Sequence, residues 1–97
     1  MRKYEIVYIL KANLDEAARN EEMNKLANII TSKGGTVDST DVTKLGLRDL
    51  AYPIKKETKG FYVVLNVTMG NEAYAEFNRL VRIDNNVLRH IILVAHE

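Results

Sequence analysis

The sequence predicts an α+β fold: a four-stranded antiparallel sheet with two helices on one face, in the order βαββαβ. Three observations predict it. Four stretches are rich in β-branched and aromatic residues, which suit a pleated, half-buried surface. Two others repeat apolar residues at the three-to-four spacing of a helix buried along one side. A glycine pair, a lysine-rich run and an Asp-Asn-Asn run punctuate the order where turns are needed. Right-handed crossover connections then arrange the six elements as a split βαβ sandwich.

Residues 4–10, Tyr-Glu-Ile-Val-Tyr-Ile-Leu, form the first strand. They are apolar at both parities after Glu5, as a central strand covered on much of both faces would be. A helix follows, with Asn13 as its expected cap and Glu16 completing a capping box. Met23, Leu26, Ala27 and Ile30 make its buried stripe, and Gly34-Gly35 ends it by tolerating a left-handed terminal conformation. Residues 36–45, rich in Thr, Val, Asp and Ser, read as a polar edge strand. Residues 47–54 continue extended, with Pro53 keeping Tyr52 out of the helical region. Residues 55–60 are a polar turn, and residues 61–67 are the clearest strand in the chain. The second helix covers residues 71–83, with Ala73, Phe77, Leu80 and Val81 on one side. Asp84-Asn85-Asn86 breaks it, and residues 87–94 form the last strand.

Parity sorts the first and third strands into two sets. Ile6, Tyr8, Phe61, Val63 and Leu65 form the core set. Val7, Ile9, Tyr62 and Val64 face the other way, and so apolar a group on an uncovered sheet face marks a protein-partner surface.

Bulk properties exclude several classes. Ninety-seven residues are expected to form a single domain over 1–97, large enough to hold a core without staples. With no cysteine there is no disulfide framework and no thiolate metal site. The apolar run behind Met1-Arg2-Lys3 is too short for a signal peptide, and no stretch approaches the ~20 apolar residues of a membrane span. A cytoplasmic protein is expected. The formal charge is only +1, so binding to nucleic acid would need local clustering or a basic partner.

Catalytic constellations fail on their parts. His90 and His96 would lie roughly 20 Å apart on one strand, too far to share a metal. Asp15, Glu16, Glu21 and Glu22 fit a solvated helix face. Neither Ser32 nor Ser39 sits in a nucleophile elbow, and no lysine-bearing phosphate loop follows Gly34-Gly35. Small phosphatases of this strand order use an arginine and an asparagine, and Arg2, Arg19 and Asn66 are available. Their glycine-rich anion loop is missing between Leu10 and Leu14. No enzyme, metal, cofactor or small-molecule substrate is therefore expected.

Residues 59–66 partly match the main motif of RNA-reading sheets, but the aromatic needed two places after Phe61 is Val63, so this stripe reads as core. Charge is nonetheless asymmetric. Lys44, Arg48, Lys55, Lys56 and Lys59 cluster before the third strand, and Arg79, Arg82 and Arg89 form a second group. The βαββαβ arrangement, called ferredoxin-like, hosts metabolite sensors, small hydrolases, RNA readers and ribosomal proteins alike, so fold alone does not choose.

The run Gly46-Leu47-Arg48-Asp49-Leu50-Ala51-Tyr52-Pro53-Ile54-Lys55 resembles the signature of the bacterial sixth small-subunit ribosomal protein family. The opening Met1-Arg2-Lys3-Tyr4-Glu5 and the closing Arg82-Ile83 with Asn86-Val87-Leu88-Arg89 are similar to that family too, so the resemblance spans essentially the whole chain. It departs from the pattern at Leu45, Leu47 and Asp49. The resemblance implies a structural ribosomal protein that pairs with the eighteenth small-subunit protein and binds the central domain of small-subunit rRNA. Carried over, Arg2, Arg48, Arg82 and Arg89 become the expected RNA contacts, since a guanidinium fork suits phosphate oxygens. Lys55 and Lys56 would be less specific phosphate contacts, while Tyr4 and Tyr52 take structural roles. The alternative from fold alone is a homodimeric regulatory module that binds a small metabolite.

Overall fold

The computed structural model describes the backbone of residues 1–54 and 57–95 and the side chains of residues 1–41 and 58–95. Its elements are β1 (Arg2–Lys11), α1 (Glu16–Ser32), β2 (Thr36–Ile54), β3 (Glu57–Met69), α2 (Asn71–Arg82) and β4 (Val87–Val94). The expected βαββαβ order holds. Every strand pairing is antiparallel, and the sheet order β2-β3-β1-β4 leaves β2 and β4 as its outer edges.

The ladder fixes which side chains meet. Tyr4, Ile6, Tyr8 and Leu10 of β1 pair with Val67, Leu65, Val63 and Phe61 of β3. All but Phe61 are buried, and they meet Leu26 and Ile30 of α1 and Ala73, Phe77 and Val81 of α2. The two helices pack on each other over this one face of the sheet. Tyr4 packs its ring against Tyr74 of α2, centroids 5.3 Å apart, which is the structural role expected of it. Tyr52 lies outside the residues whose side chains are described.

Local chemistry moved several boundaries. The cap of α1 is Asp15, not Asn13: its Oδ1 accepts the Ala18 amide at 2.7 Å. Asp15 directly precedes the first helical residue, and a negative charge there also suits the positive end of the helix dipole. Asn13 belongs to the turn that leaves β1. At the other end Gly34 takes φ +84°, the left-handed stop the glycine pair predicted. β3 begins at Glu57 rather than at residue 61, with Ile54 opposite Glu57 in the ladder. Lys59 and its neighbours are polar, but ladder hydrogen bonds are made by backbone and do not require apolar side chains.

Two side chains depart from the parity and helix-face readings. Glu22, expected in solvent, is 5% exposed against the turn that follows α2. Phe61, expected in the core, is half-buried with the Arg19 guanidinium 4.2 Å above its ring.

Candidate functional site

The ladder carries three basic positions to one end of the sheet, the expected Arg48 and Arg89 and also Lys11. Arg89 of β4 pairs with Ile9 near the end of β1, Lys11 pairs with Gly60, and the Arg48 backbone lies opposite the same Gly60. Arg82 is the last residue of α2, and the turn from it to β4 is short. Arg82 and Arg89, seven residues apart in sequence, therefore line one shallow recess with Val81, Val87, Leu88 and His90. Both arginines are exposed. Arg2 is not part of this group. It stands seven positions down β1 from Ile9, about 23 Å away at roughly 3.3 Å per residue. There it lines a separate recess with Met1, Tyr4, Met69, Gly70 and Asn71. The Arg48 side chain, and Lys55 and Lys56 altogether, lie outside the described residues.

The positive charge of the Arg82–Arg89 recess comes from guanidinium groups and not from the imidazole beside them. His90 is half-buried, and its Nε2 donates to Asn78 Oδ1 at 2.9 Å. Burial, and then the nearby Arg82 charge, hold its pKa below the usual histidine range, so it is neutral at pH 7. Arg79 of the same basic group is engaged with Glu76 along its own helix.

The uncovered face of the sheet reads as rows across three strands. Val64, Val7 and Ile91 make one row, and Tyr62, Ile9 and Arg89 the next. Val7, Tyr62 and Val64 are half-buried. Ile9 lies on this face by register but is only 8% exposed, between the larger side chains of Tyr62 and Arg89, so it is the floor of the patch. Ile91 and Leu93 are about half exposed and extend the apolar area onto the edge strand. Sequence reasoning missed both, because β4 is apolar at both parities and only the register with β1 tells its faces apart. Lys11 was missed as well, its only signal being its place at the end of the first strand. Toward the other end the face turns polar: Asn66 Nδ2 donates to Ser39 Oγ at 3.0 Å, and Thr68 Oγ1 to Asp38 Oδ2 at 2.8 Å.

The arginines and the asparagine that phosphatase chemistry would need do not converge. Arg19 lies over Phe61, Asn66 is tied to Ser39 at the β2 edge, and Arg2 sits at the far end of β1. Among the described residues no three His, Asp or Glu side chains are placed to hold a metal ion, and no helix is long and apolar enough to cross a membrane.

Such an arrangement offers surface: guanidinium groups at one corner of a sheet whose apolar face is uncovered. It belongs to the class of α+β proteins that are bound into larger assemblies. Comparison with known proteins gives the particular family. Residues 3–93 match the sequence pattern of ribosomal protein S6. The chain is 46% identical over 92 residues to the small ribosomal subunit protein bS6 of Halalkalibacterium halodurans, covering 95% of each chain. It is 42% identical to the bS6 protein of Clostridium botulinum, over 96% of this chain and 97% of that one. The crystal structure of 30S ribosomal protein S6 from Thermotoga maritima superposes with a TM-score of 0.88 at 25% identity, over 97% of this chain and 87% of its own. The chain belongs to the ribosomal protein S6 family. Its role is that of a structural, non-enzymatic constituent of the small subunit of the cytoplasmic bacterial ribosome.

Proposed function

We propose that residues 1–97 act as one domain that binds the central domain of small-subunit rRNA jointly with the eighteenth small-subunit ribosomal protein. The observation that carries this is the position of Arg89. It lines the cationic recess with Arg82 and also ends the Tyr62–Ile9 row of the apolar face. A phosphate-binding surface and a protein-binding surface that share a residue favour an RNA and a protein that arrive together. Arg82 and Arg89, with Arg48 whose backbone lies opposite Gly60, form the main RNA-facing corner, and Lys55 and Lys56 are proposed as less specific phosphate contacts. Arg2 makes a second, separate contact. Val7, Tyr62 and Val64, with Ile9 beneath them and Ile91 and Leu93 beside them, receive the protein partner. A net charge of +1 supports a shared arrangement, because the chain alone has little electrostatic attraction for a polyanion.

The test is a gel shift on the rRNA central domain, with and without the eighteenth protein, across a salt series. Tight binding only with the partner, weakening as salt rises, is expected. The triple variant Arg48→Ala, Arg82→Ala, Arg89→Ala should keep its fold and lose much of that salt dependence. Undiminished binding by this variant would remove the assigned corner. No binding under any condition would remove the rRNA reading itself.

A further inference from the structure

The corner that holds Arg82 and Arg89 is closed from beneath by a cluster that the function above does not use. Glu22 of α1 and Asp84 of the turn between α2 and β4 are both buried, 5% and 9% exposed. Two carboxyls face one cation: Lys25 Nζ lies 3.3 Å from Glu22 Oε1 and 2.8 Å from Asp84 Oδ2. Asn86 supplies two more donors, its backbone amide to Asp84 Oδ1 at 2.9 Å and its side-chain amide to Glu22 Oε1 at 3.3 Å. Glu22 Oε1 and Asp84 Oδ1 are thereby hydrogen-bonded, while Asp84 Oδ2 has only the ion-pair contact with Lys25. Glu22 Oε2, Asp84 Oδ2 and the Tyr8 hydroxyl are all buried with no hydrogen-bond partner, and the two carboxyls are close enough to share a hydrogen bond. Two adjacent buried carboxylates, one ammonium and two orphan oxygens leave an unbalanced negative charge, which a buried site strongly disfavours.

We propose that Glu22 and Asp84 share one proton, held on Glu22 Oε2 and donated to Asp84, as an acid–carboxylate clasp between α1 and the turn leading into β4. A single proton between Glu22 Oε2 and Asp84 Oδ2 gives both orphan oxygens a role, leaves one negative charge opposite Lys25, and converts repulsion into a charge-assisted hydrogen bond. The groups facing the clasp are Lys25 from α1, Asn86 from the turn and the buried Tyr8 phenol from β1. The titration directions agree. Burial, and then the Asp84 contact, push Glu22 above the ordinary carboxylate range. Burial alone would raise Asp84 too, but the Glu22 and Lys25 hydrogen bonds and the Asn86 amide hold it below its usual value. The turn is tied on its other side as well, because the Lys11 amide donates to the Asn86 carbonyl at 3.0 Å. Losing the shared proton therefore loosens the turn through which Arg82 is joined to Arg89, so the clasp makes the order of that corner depend on pH.

Carboxyl-detected NMR titration of the unmodified protein tests this. Glu22 is expected to titrate above the usual glutamate range and Asp84 below the usual aspartate range, with the Asn86 and Val87 amide signals moving at the Glu22 midpoint. In Glu22→Gln, whose amide supplies the same donor permanently, those amide shifts should disappear while the chain stays folded. Ordinary titration of both carboxyls, or a Glu22 titration to which the Asn86 amide does not respond, would overturn the clasp. The unmodified protein decides this even where the variant fails to fold.

Discussion

Gly35 shows how a single residue can be fixed by what surrounds it. A Cβ there would meet Ile30 Cγ2 at 2.7 Å, the Ile30 carbonyl at 3.0 Å and Met69 Cβ at 3.1 Å, where α1 hands over to β2. Its neighbour Gly34 has open space but a φ of +84°. The pair thus has two different reasons for being glycine, close packing and backbone hand. Gly35→Ala should cost about 1–3 kcal/mol by overpacking, and Gly34→Ala about 1 kcal/mol by backbone strain. Urea unfolding of the two variants measures both, and a larger loss at Gly34 would contradict the packing account. Sequence reasoning saw the glycines as a helix stop, which is the part set by local geometry. It placed Glu22 in solvent because a carboxylate on an amphipathic helix is normally solvated. The partners that draw it inward, Asp84 and Asn86, are more than sixty residues away.

At the scale of elements, the strands and helices were legible because each carries its own period, and the last strand was read at Val87–Val94 as it stands. What was not legible was pairing. The long hairpin of β2 and β3 extends past the apolar run into Lys59 and Glu57, and the two faces of β4 are told apart only by register. The start of α1 went to Asn13 because both Asn13 and Asp15 have capping chemistry, and only the observed Ala18 bond decides between them. Asp15→Ala should accordingly lower stability by about 1 kcal/mol, whereas Asn13→Ala should change it little. Thermal unfolding of the two variants side by side distinguishes them, and an equal effect would mean the cap bond contributes nothing.

For the molecule as a whole, the candidate site was half readable. Motif resemblance supplied the residue names, but only the ladder shows that Arg82 and Arg89 share a corner while Arg2 stands apart. Stability should also respond to pH through His90. Its folded pKa lies below the unfolded 6.5, so the unfolded chain binds a proton more readily. The stabilisation from neutral His90 is present above pH 6.5 and is lost as pH falls through the depressed folded value. Glu22 works in the opposite direction: its pKa is raised, so its contribution is full below 4.5 and is lost as pH rises through the folded value. The His90 contribution should therefore lower denaturant midpoints as pH falls below about 6.5. Comparison of the unmodified protein with His90→Gln isolates it from the opposing Glu22 contribution: the variant should lose less stability over that range. An unchanged slope in the variant would place the cause elsewhere.

The sheet's two outer strands are not equally protected. β2 begins with exposed Thr, Asp and Ser residues, whereas β4 carries Ile91, Leu93 and Val94, each about half exposed, along an edge that no other strand covers. An uncovered, greasy strand edge is a template for unwanted pairing. A free copy of this chain is therefore open to edge-to-edge pairing on its β4 side. The same edge makes self-association rise with the concentration of free chain, so crowding of unassembled copies is the condition this fold tolerates least.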